Sequence, residues 1–272
     1  MSKIKAKLGK PRLKTLSTLL TVRKKTGLPR PRVTAAEREA LILSEAVKFF
    51  AEVGFSGDTR ELARRAHVTH PLLYKYFSSK ESLLERVYEA VYLGRWNPEW
   101  EKLIVNREMT VRQRMTLFYI AFSSVILEWE WVRLFMFFGL RGADINKRWF
   151  SLIRERLVLP FCAELRHELK LPPIHLIAPT VSELELVQGI STRIFAFGIR
   201  QHIYGMPLPG DGNISTLIKS EIDAFFEGIG PTLKNLVNNS ASRTLRTKVT
   251  AKSKALPKIK KQTTTNRKKS NQ

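Results

Sequence analysis

Acidic residues are missing from both ends of this chain. Residues 1–36 hold eleven Lys and Arg and no acid, and residues 240–272 hold another eleven and no acid. The stretch between them balances 25 basic against 24 acidic residues, so nearly all of the net charge of +23 sits in two tails. Segments of one charge repel themselves and have too little apolar surface to fold, which predicts disordered basic tails at 1–33 and 239–272. Such tails favour a polyanion: nucleic acid first, an anionic membrane surface second, with plain solubilisation as the remaining reading.

Cysteine is scarce too. Cys162 stands alone among 272 residues, which excludes an intramolecular disulfide and fits a reducing, cytoplasmic setting. Long apolar runs are lacking. The longest, residues 115–127, is too short for a membrane span and runs into Glu128, Glu130 and Arg133, so a buried helix is expected. The first 22 residues are too broken by Thr and Ser to hold the apolar core of a secretion signal. Strand alternation and Asn-Gly turns are nearly absent. So are Gly-x-Ser-x-Gly, the phosphate-binding P-loop and Gly-x-Gly-x-x-Gly. No catalytic residues, cofactor or metal are expected. His67 and His70 lack a third ligand, and His167 beside Glu164 and Glu168 suits a surface helix better than a metal site.

What is present is helical periodicity with clear stops. Thr34 and Glu37 have the spacing of a capping box, and Leu43, Ala46, Val47 and Phe50 follow as an apolar stripe that Gly54 ends. Asp58 and Glu61 repeat the capping pattern before a second helix with Leu62, Ala63 and Ala66 inward. A helix from Lys80 to Trp96 carries Leu84, Val87, Tyr88 and Val91 on one face. Further helices are expected at 98–106, 110–138, 145–169, 180–205 and 213–237, each connection holding a Gly or Pro.

Between the second helix and Lys80 lies "HVTHPLLYKYFSS". Thr69 can cap a short helix, and Pro71 suits its first turn, where no backbone donor is lost. Leu73 and Phe77 stand four apart and are expected to anchor that helix in the core. His70, Tyr74 and Lys75 then turn outward, with Leu72 and Tyr76 at the margins. A helix, a turn and a short exposed helix rich in donors have the geometry of a recognition helix entering a major groove. Lys80 is placed to meet the nucleic-acid backbone beside that groove.

These residues carry a resemblance. "LARRAHVT" followed by "LLYKYFSSKESLL", with "EAVKFFAEVGF" upstream, resembles the TetR family of helix-turn-helix regulators over residues 38–84. The resemblance implies DNA contacts by Thr59, Arg60, Thr69, His70, Pro71, Leu72, Tyr74, Lys75, Tyr76 and Lys80. Two departures stand out: His67 replaces a common glycine, and the loop after Gly54 is about one residue short. The fold implied is all-α. A three-helix DNA-binding head at 34–83 joins a larger helical effector and dimerisation domain at 84–238.

The resemblance also implies a homodimer through residues 180–205 and 213–237, reading a near-palindromic operator in double-stranded DNA. It further implies a small hydrophobic effector that releases a repressor. Trp96, Trp100, Trp129, Trp131, Phe135 and Phe138 suit either a pocket wall or ordinary core packing, and Glu128, Glu130 and Arg133 either polar anchors or plain surface. The Pro-Arg alternation at 27–34 favours an extended arm whose Arg30 and Arg32 fit a minor groove. The expected function is a cytoplasmic, nucleoid-associated transcriptional regulator. The alternative is a nonspecific or architectural nucleic-acid binder acting through the tails.

Overall fold

The computed structural model describes residues 34–142, 145–208 and 213–254, the side chains of Ile145 and of residues beyond Ser240 excepted. Arg30 and Arg32 lie outside the described residues. Every regular element among those described is helical.

α1 (Ala35–Val53) opens on the expected capping box: Thr34 accepts from the Glu37 amide, and the Glu37 carboxylate accepts from Thr34 N–H at 2.9 Å. Hydrogen bonds from Thr34 hold that carboxyl below the usual range. The helix ends at Gly54, whose φ of 76° lies in the region glycine enters without strain. Ile42, Ala46, Phe49 and Phe50 face the core. α2 (Thr59–Arg65) is capped by Asp58, which accepts from the Arg60 amide at 2.8 Å. The second capping box does not form. Glu61 instead accepts from Arg64 and Arg65, one turn further on, and these bonds hold its carboxyl down at about 2.

α3 (His70–Tyr76) and α4 (Lys80–Val91) complete the head, with a single 3-10 turn over Leu93–Arg95 where the sequence suggested continuous helix to Trp96. The body follows as α5 (Glu99–Val105), α6 (Val111–Ile126) and α7 (Trp129–Leu140). α8 (Ile145–Ile153) passes through a π turn at Arg154–Val158 into α9 (Leu159–Glu168). α10 (Val181–His202) and α11 (Ile214–Lys254) are the long closing helices. The π turn has a local cause. Pro160 would clash with the carbonyl four residues back in a regular helix, and one wider turn relieves that clash.

Two further boundaries depart from expectation. The helix expected at 110–138 breaks at Leu127–Glu128, and the reason is tertiary. His202 of α10 bonds the Leu127 carbonyl at 2.9 Å, and Arg95 pairs with Glu128. Gly198 brings α10 so close to this corner that a Cβ there would meet Val132 at 2.8 Å. The second departure is α11, which runs to Lys254 instead of ending near 237, so its backbone is helical through part of the expected tail. After Pro231 no Gly or Pro interrupts the chain before Pro257.

The core is continuous from head to body and heavily aromatic. Trp96, Trp100, Trp131 and Phe138 are buried in it, and Trp129 is exposed. The most deeply buried charged pair among the described residues joins α9 to α10. Arg166 of α9 and Glu183 of α10 are 0% and 1% exposed and meet through two bonds of 2.6 and 2.7 Å. Arg166 also donates to the Pro172 and Ile177 carbonyls, which fixes the loop between the two helices. Among the described residues no helix is long and apolar enough to cross a membrane.

Candidate nucleic-acid interface

The short third helix is built as its sequence dictates. Thr69 accepts from the Leu72 amide at 3.3 Å, and Pro71 occupies the first turn. Leu73 and Phe77 are each 1% exposed, so the pair four apart pins the helix to the head. Burying two such side chains contributes on the order of 4 kcal/mol in transfer terms, more than a two-turn helix could supply from its own hydrogen bonds.

That anchoring decides which side chains reach the surface. Arg60, Thr69, Pro71 and Lys75 are exposed, while His70, Leu72, Tyr74, Tyr76 and Lys80 are half-buried. Thr59 differs from expectation. It is 8% exposed, and its hydroxyl bonds His70 Nε2 at 3.0 Å and the Tyr74 hydroxyl at 3.2 Å. The His70 and Tyr74 rings meet edge to face, 4.9 Å apart. Thr59 thus stands behind the surface and ties α2 to α3, setting how His70 and Tyr74 are presented. Lys80 has a similar local partner, donating to the Gly57 carbonyl at 2.7 Å and closing the loop before α2. Gly57 is needed there, since a Cβ would lie 2.6 Å from Phe49 and Val53.

His67 sits in the turn between α2 and α3 with φ of 54°, the left-handed region. The turn is closed by Val68 N–H donating to the Ala63 carbonyl at 2.9 Å. The glycine missing here is therefore missing where glycine is least strained. His67→Gly is expected to stabilise the protein by about 1 kcal/mol, the strain relieved exceeding the entropy added to the unfolded chain. A thermal melt reads this directly, and an unchanged or lower Tm would show that the turn holds histidine without strain.

Arg133 of α7 was legible only as an anchor or as surface. In the structure it reaches the C-terminal end of α1, donating to the Ala51 carbonyl at 2.5 Å and the Glu52 carbonyl at 3.1 Å. It satisfies carbonyls that end a helix some eighty residues earlier. Phe137, one turn on, packs against Gly54. α7 thus grips the end of α1, while Arg148 of α8 pairs with Glu85 of α4 at 2.7 Å. Glu128 pairs with Arg95, and Glu130 is half-buried.

The same helix lines a cavity of about 120 Å³ between α6, α7, α8 and α10. Of the aromatics expected at a pocket, Trp131 and Phe135 line it; Trp149, Phe150, Phe122 and Phe195 complete the wall. The latter four carried no local sequence signal separating them from ordinary core residues. His167, Glu164 and Glu168 do not converge. Glu164 accepts from Arg107 and Arg114, and Glu168 accepts from the Val111 amide. Burial pushes the Glu164 carboxyl up, but the two arginines outweigh it and hold it below the usual range. No group of three or more His, Cys, Asp or Glu among the described residues could hold a metal ion.

Residues 42–87 match the family described as bacterial regulatory proteins, tetR family. No curated protein matches the chain. Among solved structures, a protein described as a transcriptional regulator from Pseudomonas aeruginosa PAO1 aligns with a TM-score of 0.55 at 17% identity, covering 74% of this chain and 96% of that one. A protein described as a TetR-family transcriptional regulator from Mesorhizobium loti aligns at 0.52 and 15%, covering 72% and 98%. A TetR-like transcriptional regulator from Rhodococcus sp. RHA1 aligns at 0.51 and 19%, covering 72% and 100%. At these identities the structural likeness speaks for the fold, while the family match falls on the helices built up above. Residues 42–87 thus match the helix-turn-helix head described for the tetR family of bacterial regulatory proteins, and the helical chain has the fold of the solved regulators that align with it.

Proposed function

We propose that the protein is a dimeric repressor that reads a near-palindromic operator and leaves it when a small hydrophobic effector enters the body. The observation that carries the DNA reading is the third helix. It is too short to stand alone, and Leu73 and Phe77 hold it so that Lys75 is exposed. Lys75, Arg60, Thr69 and Pro71 form the outer surface, with His70, Leu72, Tyr74, Tyr76 and Lys80 at its edge and Thr59 supporting it from behind. α10 and α11 supply the two-fold interface, which would set two such helices one turn of duplex apart. The effector reading rests on α7, which lines the cavity with Trp131 and Phe135 and holds α1 with Arg133. A ligand that shifts α7 would shift the head.

A mobility-shift titration against the protein's own promoter region tests the reading. We expect a complex that survives excess nonspecific duplex at moderate salt. Lys75→Ala should weaken it and lower the slope of log affinity against log salt by about 1, as loss of one phosphate contact does. If competitor DNA removes the complex as easily as random duplex would, the basic tails are the binding parts and the protein is a nonspecific polyanion binder. The concentration of charge at 1–36 and 240–272 is what favours that second reading.

A further inference from the structure

We propose that His70, Thr59 and Tyr74 form one base-reading unit, in which the Thr59 hydroxyl makes His70 and Tyr74 present opposite hydrogen-bonding characters to DNA. This rests on the reading of their surface as the DNA contact and names the kind of base that surface would select. The bond network comes first. Thr59 Oγ1 lies 3.0 Å from His70 Nε2 and 3.2 Å from the Tyr74 hydroxyl. Thr59 is 8% exposed, so its single hydroxyl hydrogen needs one of these two partners. The His70 and Tyr74 rings meet edge to face, at 90° and 4.9 Å, which keeps both within reach of that hydroxyl.

Two arrangements place that hydrogen. In one, Thr59 donates to His70 Nε2 and accepts from the Tyr74 O–H. The His70 proton is then on Nδ1, so His70 offers a donor and Tyr74 offers lone pairs. In the other, His70 Nε2–H donates to Thr59, and Thr59 donates to Tyr74. His70 then offers the Nδ1 lone pair and Tyr74 its O–H. Any other placement sets two lone pairs against each other or leaves the Thr59 hydrogen unmade. A neutral unit therefore shows DNA one donor and one acceptor. Both side chains are half-buried and keep an accessible part, and Nδ1 points away from Thr59 with no partner among the described residues.

The acceptor carries the sequence information. Phosphate oxygens only accept, so Arg60 and Lys75, which only donate, are satisfied by the DNA backbone. An acceptor on the protein needs a donor from DNA, and in the major groove the amino groups of adenine and cytosine supply it. The neutral unit therefore selects an amino base at one position. A second proton on His70 lifts the constraint. Both ring nitrogens then donate, Thr59 turns its hydrogen to Tyr74, and Tyr74 donates outward. In that form the unit suits the carbonyl oxygens of guanine and thymine.

Imidazole changes charge between about pH 5 and 8. The charged groups on the surrounding elements are engaged elsewhere or exposed. On α2, Glu61 is bound by Arg64 and Arg65, and Arg65 also pairs with Glu52 of α1. Asp58 caps α2, and Lys80 of α4 holds the Gly57 carbonyl. Arg60, His67 and Lys75 are exposed, and Tyr76 of α3 is half-buried. None of them bonds His70, whose one polar partner is Thr59. The phosphates of a bound duplex favour the added proton.

Selection of binding sites from randomised duplexes by the full-length protein, at pH 8 and at pH 6, tests this. At pH 8 one position of the contacted strand should favour adenine or cytosine over guanine or thymine about tenfold. At pH 6 that ratio should fall about five- to tenfold. Thr59→Ser keeps the hydroxyl and should keep both ratios. Thr59→Val should show the lower ratio at both pH values, because Nδ1–H and the Tyr74 O–H are then free to donate together. Tyr74→Phe should lose the pH shift as well, and the wild-type comparison needs no variant to fold. His67→Gly should retain the shift, which assigns it to His70. An enriched sequence with the same preferences at both pH values, or a shift that persists in Thr59→Val, would overturn the proposal and leave the DNA reading standing. No enriched sequence at either pH would overturn the DNA reading and the proposal with it.

Discussion

Phe77→Ala should lower the stability of the protein by about 3–5 kcal/mol and abolish sequence-specific DNA binding with it. The ring is 1% exposed and closes the third helix, its own N–H donating to the Leu73 carbonyl at 3.0 Å. Truncation removes the transfer free energy of a buried ring and leaves a cavity that a short, loop-flanked helix cannot refill. The third helix has one other fully buried residue, Leu73, so losing Phe77 frees half of its anchor. Urea denaturation followed by circular dichroism gives the stability term, and a mobility shift gives the binding term. If Phe77→Ala kept wild-type stability and bound the operator normally, the helix would owe its position to something other than this pair.

The second large effect lies in the helical body. Arg166→Met should cost about 3–5 kcal/mol, because it strands the Glu183 carboxylate at 1% exposure with no counter-charge. The double variant Arg166→Met with Glu183→Leu should recover much of the loss, since well-packed apolar groups can replace a buried pair at little cost. Recovery should stay incomplete: the Pro172 and Ile177 carbonyls lose their donor in either variant, at about 1–3 kcal/mol each if left unpaired. Denaturation midpoints of the two single variants and the double variant close a cycle. A double variant no more stable than Arg166→Met would show that the pair itself contributes little and that the two carbonyl bonds dominate.

These predictions draw on features of unequal legibility. Thr34 with Glu37, Thr69 with Pro71, and Leu73 with Phe77 each act within one or two turns, and the structure has all three as their spacing implied. Asp58 and Glu61 show where such reading fails. The spacing of a capping box is there, but Arg64 and Arg65 lie one turn away and bind Glu61 with full charges. Thr59 fails differently. Nothing near it in the chain says that its hydroxyl will meet His70 and Tyr74, eleven and fifteen residues on, because that depends on how α2 and α3 cross.

By itself the sequence determined the order of helices in the head, the anchored third helix, the turn held by His67, and the separation of a balanced body from two basic ends. Each of these rests on residues close in the chain, where caps, breakers and four-residue spacing act without help. Tertiary structure alone decided the break at Leu127–Glu128, the grip of Arg133 on α1, the buried pair of Arg166 and Glu183, and which aromatics wall a cavity instead of filling the core. Those features join groups seventeen to more than eighty residues apart. Their energy comes from a close approach or a buried charge that exists only once the helices have packed.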